Sequence, residues 1–155
     1  MSGKAFQDYW KKNKCWGCGS GNEHGLHLKS FWEGDESVSL FIPSRSHKAG
    51  PDGYLNGGII GTIIDCHSIC TAIADAYKRE GRELSSEPFI WYVTASMKID
   101  YHKPTPIDRP VTLRAVVDKR EGKKSVVACG LYSEGVKCAT GEVLAVRVSP
   151  EKWFV

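Results

Sequence analysis

The residue types best suited to chemistry lie at positions 54–65, which read Tyr-Leu-Asn-Gly-Gly-Ile-Ile-Gly-Thr-Ile-Ile-Asp. Gly57 and Gly58 open a long apolar segment, and we expect Asp65 to be its one buried carboxylate. An ionised Asp in an apolar helix is costly unless it is paired, so it usually has a function. The glycine opening leaves accessible N–H groups at the positive end of the helix dipole, where a carbonyl oxygen or an oxyanion can bind. Together these features indicate hydrolysis or transfer of an acyl group.

The spacing of these residues adds a constraint. Asp65 follows Gly57 by eight residues, which places it roughly 12 Å further along a helix. A carbonyl bound at the helix start is therefore beyond hydrogen-bond reach of Asp65 in the same chain. If both residues serve one reaction, the Asp must come from another copy of the chain. The spacing thus predicts an active site at a dimer interface.

The segment that carries these residues is expected to form the one long helix of the chain, over residues 57–79. Asn56 is a typical N-cap, and Gly81 is a stop signal. Strand patterns occupy residues 26–33, 37–42, 89–101, 111–119, 125–133 and 136–148. Because a helix that is apolar nearly all round is buried, it needs a sheet that curls around it. We therefore predict an α+β hotdog fold, in which a curved, mostly antiparallel sheet of five to six strands wraps one long buried helix.

Composition predicts a single domain over residues 1–155, with an N-terminal strap and loop over 1–25. Apolar residues make up 41% of the chain and charged residues 25%, and the formal net charge is +3. This balance is typical of a globular protein and gives no reason to expect nucleic acid as a partner. We expect no membrane-spanning segment, and the first residues lack the apolar stretch of a signal peptide. The cytoplasm is the expected location.

Two of the six cysteines follow the glycine opening closely. We expect Cys66 and Cys70 to be small buried hydrophobic residues on the helix, with Cys129 and Cys138 in strands. In a reducing compartment all six are expected to be free thiols.

The remaining pair, Cys15 and Cys18, raises the question of a metal. With His24 and His27 a four-ligand zinc set can be drawn. The histidine spacing is tighter than in the usual zinc modules, however, and a second cysteine pair is not evident. We therefore expect a loop without a metal.

The order of these motifs resembles that of the hotdog-fold acyl-CoA thioesterases, most closely the phenylacetate-pathway and hydroxybenzoyl-CoA branch. The resemblance lies in Asn56-Gly57-Gly58, in Asp65 on the helix, and in a strand over 93–101 followed by Pro104. The opening Cys-x-x-Cys-Gly, with His24-Gly25-Leu26 after it, is similar to the front of bacterial members. The resemblance covers about residues 15–148. It implies no cofactor, since coenzyme A is part of the substrate.

The resemblance also implies catalytic roles. It places the oxyanion N–H on Gly57, the catalytic carboxylate on Asp65, and a hydroxyl that orients the attacking water on Thr94. Asn56 stands where the family carries a histidine, and it either caps the helix or donates an N–H to the thioester oxygen. Gly50 stands where some members carry an asparagine.

Further candidates are assigned to substrate binding. They are Gly58 and His67 on the helix, and Arg45, His47 and Lys48 on the loop before it. The cations suit the phosphates of coenzyme A, although a solvated charged loop is the alternative, as it is for the basic turn at 119–124.

Two helix residues have structural alternatives. His67 lies about 200° around the helix from Asp65, which favours an interior or interface histidine over a catalytic one. Asp65 itself is alternatively a structural residue, hydrogen-bonded to the hydroxyls of Thr62, Ser68 and Thr71.

The favoured function is an acyl-CoA thioesterase that works as a homodimer or as a dimer of dimers, a homotetramer. Three alternatives stay open. The missing motif histidine favours a protein that binds acyl-CoA without turnover. A hotdog hydratase or dehydratase would need a catalytic histidine paired with an acid. A zinc-dependent or structural interaction module would be built on Cys15 and Cys18.

Overall fold

The computed structural model describes residue 1 and residues 3–153, so positions 2, 154 and 155 of the predicted domain lie outside the described residues. Short 3-10 turns aside, the described part contains one α-helix, α1 (Gly57–Arg79), and six strands. The strands are β1 (Phe31–Glu33), β2 (Glu36–Phe41), β3 (Trp91–Tyr101), β4 (Val111–Glu121), β5 (Lys124–Ser133) and β6 (Val136–Val148).

All six strands join one antiparallel sheet in the order β1-β2-β4-β5-β6-β3. The helix packs against four strands of the sheet, β3, β4, β5 and β6. Its buried residues and the inner face of the sheet form one hydrophobic core. This is the predicted hotdog fold, with six strands.

The helix begins and ends at the predicted residues. Asn56 caps it, because its Oδ1 accepts hydrogen bonds from Gly58 N at 2.7 Å and from Ile59 N at 3.2 Å. The sheet approaches so closely that a Cβ on Gly141 of β6 would lie 2.4 Å from Cγ2 of Ile64. By length and composition alone α1 is apolar enough to cross a membrane, which the sequence analysis overlooked, but about two thirds of that stretch is buried inside the protein.

The predicted strand over 26–33 is shortened to β1. Residues 26–30 lie outside the sheet, and several of their backbone groups bond to the N-terminal segment. Leu26 N donates to the carbonyl oxygen of Trp16 at 2.8 Å, and Leu28 N donates to that of Gly17 at 3.0 Å. The other five strands lie within two residues of the predicted bounds.

The two edges of the sheet differ. One edge is β1, with three residues, and the other is β3, with eleven. Five consecutive residues of β3, 94–98, are exposed. The register between β3 and β6 shifts between Thr94 and Ser96, which makes Ala95 a bulge. Bulges of this kind occur at sheet edges and next to active sites, where they redirect a side chain.

Candidate active site

Asp65 and Thr94 meet beside this bulge. Thr94 Oγ1 donates a hydrogen bond to Asp65 Oδ1 at 2.5 Å. Asp65 is half-buried, and burial raises the pKa of its carboxyl above the usual value, although the hydrogen bond from Thr94 opposes that shift. The structural alternative drawn from helix hydroxyls does not describe the contact, since Thr62 Oγ1 donates to Gly58 O and Thr71 Oγ1 donates to His67 O.

The second group of site residues surrounds the start of α1. Within the described part of the chain, nothing accepts a hydrogen bond from the N–H of Gly57. Tyr101 OH donates to the carbonyl oxygen of Gly57 at 2.7 Å and so fixes the end of β3 against the first turn of α1. Asn56 is exposed, and its Oδ1 serves as the cap, so the cap does not use the side-chain nitrogen. The helix start therefore presents two N–H donors.

These residues lie along one face of the helix. Gly57, Gly61 and Asp65 are spaced four residues apart, which brings them to the same side of α1. Strand β3 runs along this side in the opposite direction, and the facing pairs are Tyr101 with Gly57, Ile99 with Gly61, and Thr94 with Asp65. Tyr101 and Gly61 were not selected from the sequence. The small-residue repeat and the strand-ending Tyr were visible there, but their pairing was not.

A groove of about 460 Å³ opens at the helix start. Its lining includes Tyr54, Gly57, Ile60, Tyr101 and Pro104. A larger cavity, about 960 Å³, lies elsewhere, between the N-terminal 3-10 turn and the beginning of β3, and neither Gly57 nor Asp65 lines it. Gly57 lines the smaller groove, whereas Asp65 and Thr94 line neither of these two cavities, so we take that groove as the part of the candidate site at the helix start.

His67 lies in the interior, on the side of the helix away from Asp65. It has no exposed surface, and its ring nitrogens bond to Ser30 Oγ at 2.8 Å and to Ser37 Oγ at 3.1 Å. Burial lowers the pKa of His67 to about 4, so the ring is neutral near pH 7. His67 is therefore remote from the other substrate-binding candidates. Its position agrees with the alternative that it is an interior histidine.

The other substrate-binding candidates divide into two sets. The Gly58 N–H is already bonded to the Asn56 cap. Arg45, His47 and Lys48 lie on the loop that enters the helix, with Arg45 and Lys48 exposed. His47 O accepts a hydrogen bond from Asn56 N at 2.9 Å, so this loop is attached directly to the helix start.

Asp75 corrects the expectation that Asp65 is the one buried carboxylate of the helix. Asp75 is only 9% exposed, less than Asp65. Arg120 Nε and an Arg120 terminal nitrogen donate to the two carboxylate oxygens of Asp75 at 2.9 and 2.6 Å. Arg79 Nε lies 3.2 Å from Asp75 Oδ2. Arg120 is therefore engaged in a bidentate ion pair at the far end of the helix and is not a free phosphate ligand.

The cysteines also depart from expectation. Cys15 and Cys18 lie against Cys66 and Cys70, with a Sγ–Sγ distance of 3.7 Å for Cys15–Cys66 and 4.0 Å for Cys18–Cys70. The second cysteine pair that the sequence analysis missed is thus the helix pair. Hydrogen bonds from the other thiols hold the pKa of Cys18 far below its usual value.

The histidines of the zinc set that can be drawn from the sequence do not join this cluster. His24 is exposed beside Glu23, and the His27 ring bonds to the carbonyl oxygen of Asn22.

Comparison with known families places the chain. Residues 52–140 match the family model of the thioesterase superfamily, and this range contains Asn56, Gly57, Asp65 and Thr94. The chain therefore belongs to the thioesterase superfamily.

Individual relatives agree with this assignment. A thioesterase superfamily protein from Shewanella loihica PV-4, whose crystal structure is known, is 32% identical to this chain in sequence. The two structures match with a TM-score of 0.63, over 83% of this chain and 97% of that one. Acyl-coenzyme A thioesterase THEM4 of Mus musculus is 31% identical over 118 residues, which cover 75% of this chain and 45% of the mouse protein. The chain thus spans about half the length of the curated relatives it matches.

A third solved structure shares the fold. It is a hypothetical thioesterase from Streptococcus pneumoniae TIGR4, solved with coenzyme A, with a TM-score of 0.64 at 14% identity; the match covers 79% of this chain and 89% of that one.

Proposed function

We propose that the protein hydrolyses the thioester bond of an acyl-CoA, at a site built from the helix start of one chain and Asp65 of a second copy. The observation that carries the proposal is the pairing of Asp65 with Thr94 on the same helix face as the open N–H of Gly57. The name of the mouse relative and the coenzyme A in the pneumococcal structure support the substrate class.

The helix start supplies the electrophilic half of the site. A thioester carbonyl at this position accepts a hydrogen bond from the Gly57 N–H, with the helix dipole behind it. The side-chain nitrogen of Asn56 supplies a second donor, because the cap uses only the side-chain oxygen. The hydrogen bonds from both donors become stronger as the carbonyl oxygen becomes an oxyanion, and this lowers the barrier to attack.

The carboxylate half supplies the base. A carboxyl whose pKa is raised by burial accepts a proton more readily than an exposed one. Thr94 donates to one carboxylate oxygen, and the other oxygen takes a proton from water. The water oxygen attacks the thioester carbon, the carbon–sulfur bond breaks, and the proton on Asp65 passes to the leaving thiolate of coenzyme A.

The two halves require a second copy of the chain. Because α1 is one continuous helix from Gly57 to Arg79, Gly57 and Asp65 are about 12 Å apart along its axis. The exposed edge of β3 supports pairing with another chain, because an exposed strand edge is a template for β-sheet extension. Two copies related by a two-fold axis would set each Gly57 opposite the partner's carboxylate. This arrangement applies equally to a homodimer and to each pair of a homotetramer.

The loop before the helix fits the coenzyme A end of the substrate. Arg45 and Lys48 are exposed cations on a loop that His47 attaches to Asn56, which keeps positive charge near the groove. Phosphates of coenzyme A would pair with such cations. A reducing cytoplasm remains the location that we propose.

Binding without turnover is the second candidate, favoured by Asn56 in place of the motif histidine. Steady-state hydrolysis across short, long and aromatic acyl-CoA esters separates the two candidates. Free coenzyme A should be measured by chromatography, because the six protein thiols also react with thiol reagents. Turnover in the wild type and in Asp118→Asn, an exposed carboxylate on β4, together with its loss in Asp65→Asn, supports hydrolysis. Saturable binding without turnover on every ester supports the binding protein and overturns the proposal.

A single turnover in ¹⁸O-labelled water tests the role of Asp65 as a base. Direct attack by water places the label only in the released acid. Attack by Asp65 itself as nucleophile would form an anhydride with the acyl group, and water that opens this anhydride at the Asp65 carbonyl carbon would leave label in the Asp65 carboxyl. Mass spectrometry of the peptide that contains Asp65 distinguishes the two outcomes.

A further inference from the structure

Four cysteine sulfurs converge beside the middle of α1. Cys15 and Cys18 come from the N-terminal loop, and Cys66 and Cys70 lie one turn apart on the helix. The sulfurs of Cys15, Cys18 and Cys66 all lie within 4.8 Å of one another, and Cys70 Sγ is 4.0 Å from Cys18 Sγ. Cys18, Cys66 and Cys70 are buried, whereas Cys15 is exposed, so the cluster opens to solvent on one side.

Two of the sulfur–sulfur distances match those of a tetrahedral thiolate site. With Zn–S bonds of about 2.3 Å, the sulfurs of a tetrahedral site are about 3.8 Å apart. The Cys15–Cys66 and Cys18–Cys70 separations are 3.7 and 4.0 Å. They are far longer than the roughly 2.05 Å of a disulfide bond, and all the cysteines are free. Three of the sulfurs are thus spaced to surround a cation, without being bonded to one another, and Cys70 Sγ, which is near Cys18 but outside that group of three, would move closer to complete the set.

The loop is shaped to bring its two thiols to the helix. Gly17 lies between them, and a Cβ there would be 2.3 Å from Cys66 Sγ and 2.9 Å from Thr62 Cγ2. Only glycine allows the loop to approach this closely. Gly19 N donates to the carbonyl oxygen of Cys15 at 2.8 Å, which closes a tight turn around the pair. A Cys-x-x-Cys turn facing a second cysteine pair is the ligand pattern of structural zinc sites.

We propose that Cys15, Cys18, Cys66 and Cys70 bind one Zn²⁺ ion, which fastens the N-terminal loop to α1 next to Asp65. A four-cysteine set leaves no open position, so the site is structural and takes no part in the reaction. Thiol protons are released as the metal binds. Because Cys66 directly follows Asp65, the metal would hold the part of the helix that carries the carboxylate. The proposal rests on the thiol geometry and is independent of thioester hydrolysis.

The first test is metal content. The full chain, purified under reducing conditions and loaded with Zn²⁺, should retain about one zinc per chain after dialysis, measured by elemental analysis. Cys15→Ser and Cys70→Ser should retain well under half of that, whereas the matched control Cys129→Ser, a buried cysteine on β5, should retain the wild-type amount. Loss in Cys15→Ser with full retention in Cys70→Ser would overturn the assignment of the fourth ligand. Less than about a tenth of a zinc in the wild type would overturn the proposal.

Two measurements on the wild type do not depend on whether a variant folds. Loading with Co²⁺ should produce the intense visible absorption of tetrahedral cobalt thiolate, and the absence of that absorption counts against the site. Zn²⁺ should raise Tm by at least about 5 °C, because it binds the folded chain preferentially. An equal Tm with zinc and with a chelator would overturn the proposed fastening.

Discussion

Thr94 Oγ1 donates a 2.5 Å hydrogen bond to Asp65 Oδ1, which joins the exposed edge strand β3 to the middle of the buried helix. The bulge at Ala95 lies immediately beside this contact. A carboxylate held in this way has one oxygen fixed and the other available, which is the arrangement that a general base requires.

The first prediction concerns Asp65. Asp65→Asn should lower kcat for acyl-CoA by a factor of about 10² or more, because the amide cannot take a proton from water. Tm should stay close to that of the wild type, since the amide keeps the shape of the side chain and still accepts a hydrogen bond from Thr94. Steady-state kinetics and thermal melts measure both quantities. Wild-type turnover in a well-folded Asp65→Asn protein would remove this residue from the mechanism.

The second prediction concerns Thr94, which acts through Asp65 as a positioning residue. Thr94→Val keeps the shape but loses the hydroxyl, and kcat should fall about tenfold or more, the effect of one hydrogen bond to a charged group. Thr94→Ser restores the hydroxyl and should recover most of the rate, with KM little changed in either variant. Equal rates for the Val and Ser variants would show that the hydroxyl does not position the base.

The third prediction separates the two roles of Asn56. Asn56→Ser keeps a capping oxygen but loses the side-chain N–H, so Tm should change little while kcat falls. Asn56→Ala loses both groups and should cost an additional ~1 kcal/mol of unfolding free energy. Chemical denaturation and kinetics of the two variants provide the comparison. An unchanged kcat in Asn56→Ser would show that Asn56 serves only as the helix cap.

The helix could be predicted to the residue because its signals are local. Its apolar character, the cap at Asn56 and the stop at Gly81 all lie within or next to the segment itself. The prediction of a strand over 26–33 was wrong because the signals that decide this segment are not local. Its backbone groups bond to Trp16 and Gly17, and no local pattern reveals that a loop ten residues earlier will take them.

The residues of the candidate site also divide into those with local signals in the sequence and those without. Gly57 and Asp65 could be selected from one segment, and helix geometry alone related them. Contacts between distant segments were not predictable, including Tyr101 with Gly57 and Arg120 with Asp75. The cysteine cluster is a further case, because its closest pairs are 51 and 52 residues apart in sequence. The spacing of Cys66 and Cys70, one helical turn, was a local signal of this cluster that was overlooked.

The fourth prediction concerns His67. His67→Ala removes a buried ring and leaves the hydroxyls of Ser30 and Ser37 without their partner, so the free energy of unfolding should fall by about 2–4 kcal/mol. KM for acyl-CoA, measured below the new Tm, should stay unchanged. His24→Ala, at an exposed position, is the control and should alter neither quantity. A raised KM with unchanged stability would instead support the substrate-binding role.

The last prediction is that each active site is shared between two chains. Gly57→Val should be inactive, because the added side chain blocks close approach to the N–H. It should still fold, since a Cβ at this position makes only ordinary contacts, at 3.6 Å from the Tyr101 ring. Asp65→Ala should be inactive for lack of the base. Mixing the two variants under conditions that allow subunit exchange should yield about half heterodimers.

Each heterodimer carries one intact site, formed by the wild-type Gly57 of one chain and the wild-type Asp65 of the other, and one site that lacks both. About a quarter of the wild-type activity should therefore return. Differently tagged chains allow the heterodimers to be isolated and counted, and mixing Asp65→Ala with Asp65→Asn is the matched control, which should stay inactive. If the first mixture also stays inactive although heterodimers are present, Gly57 and Asp65 do not serve one site across the interface.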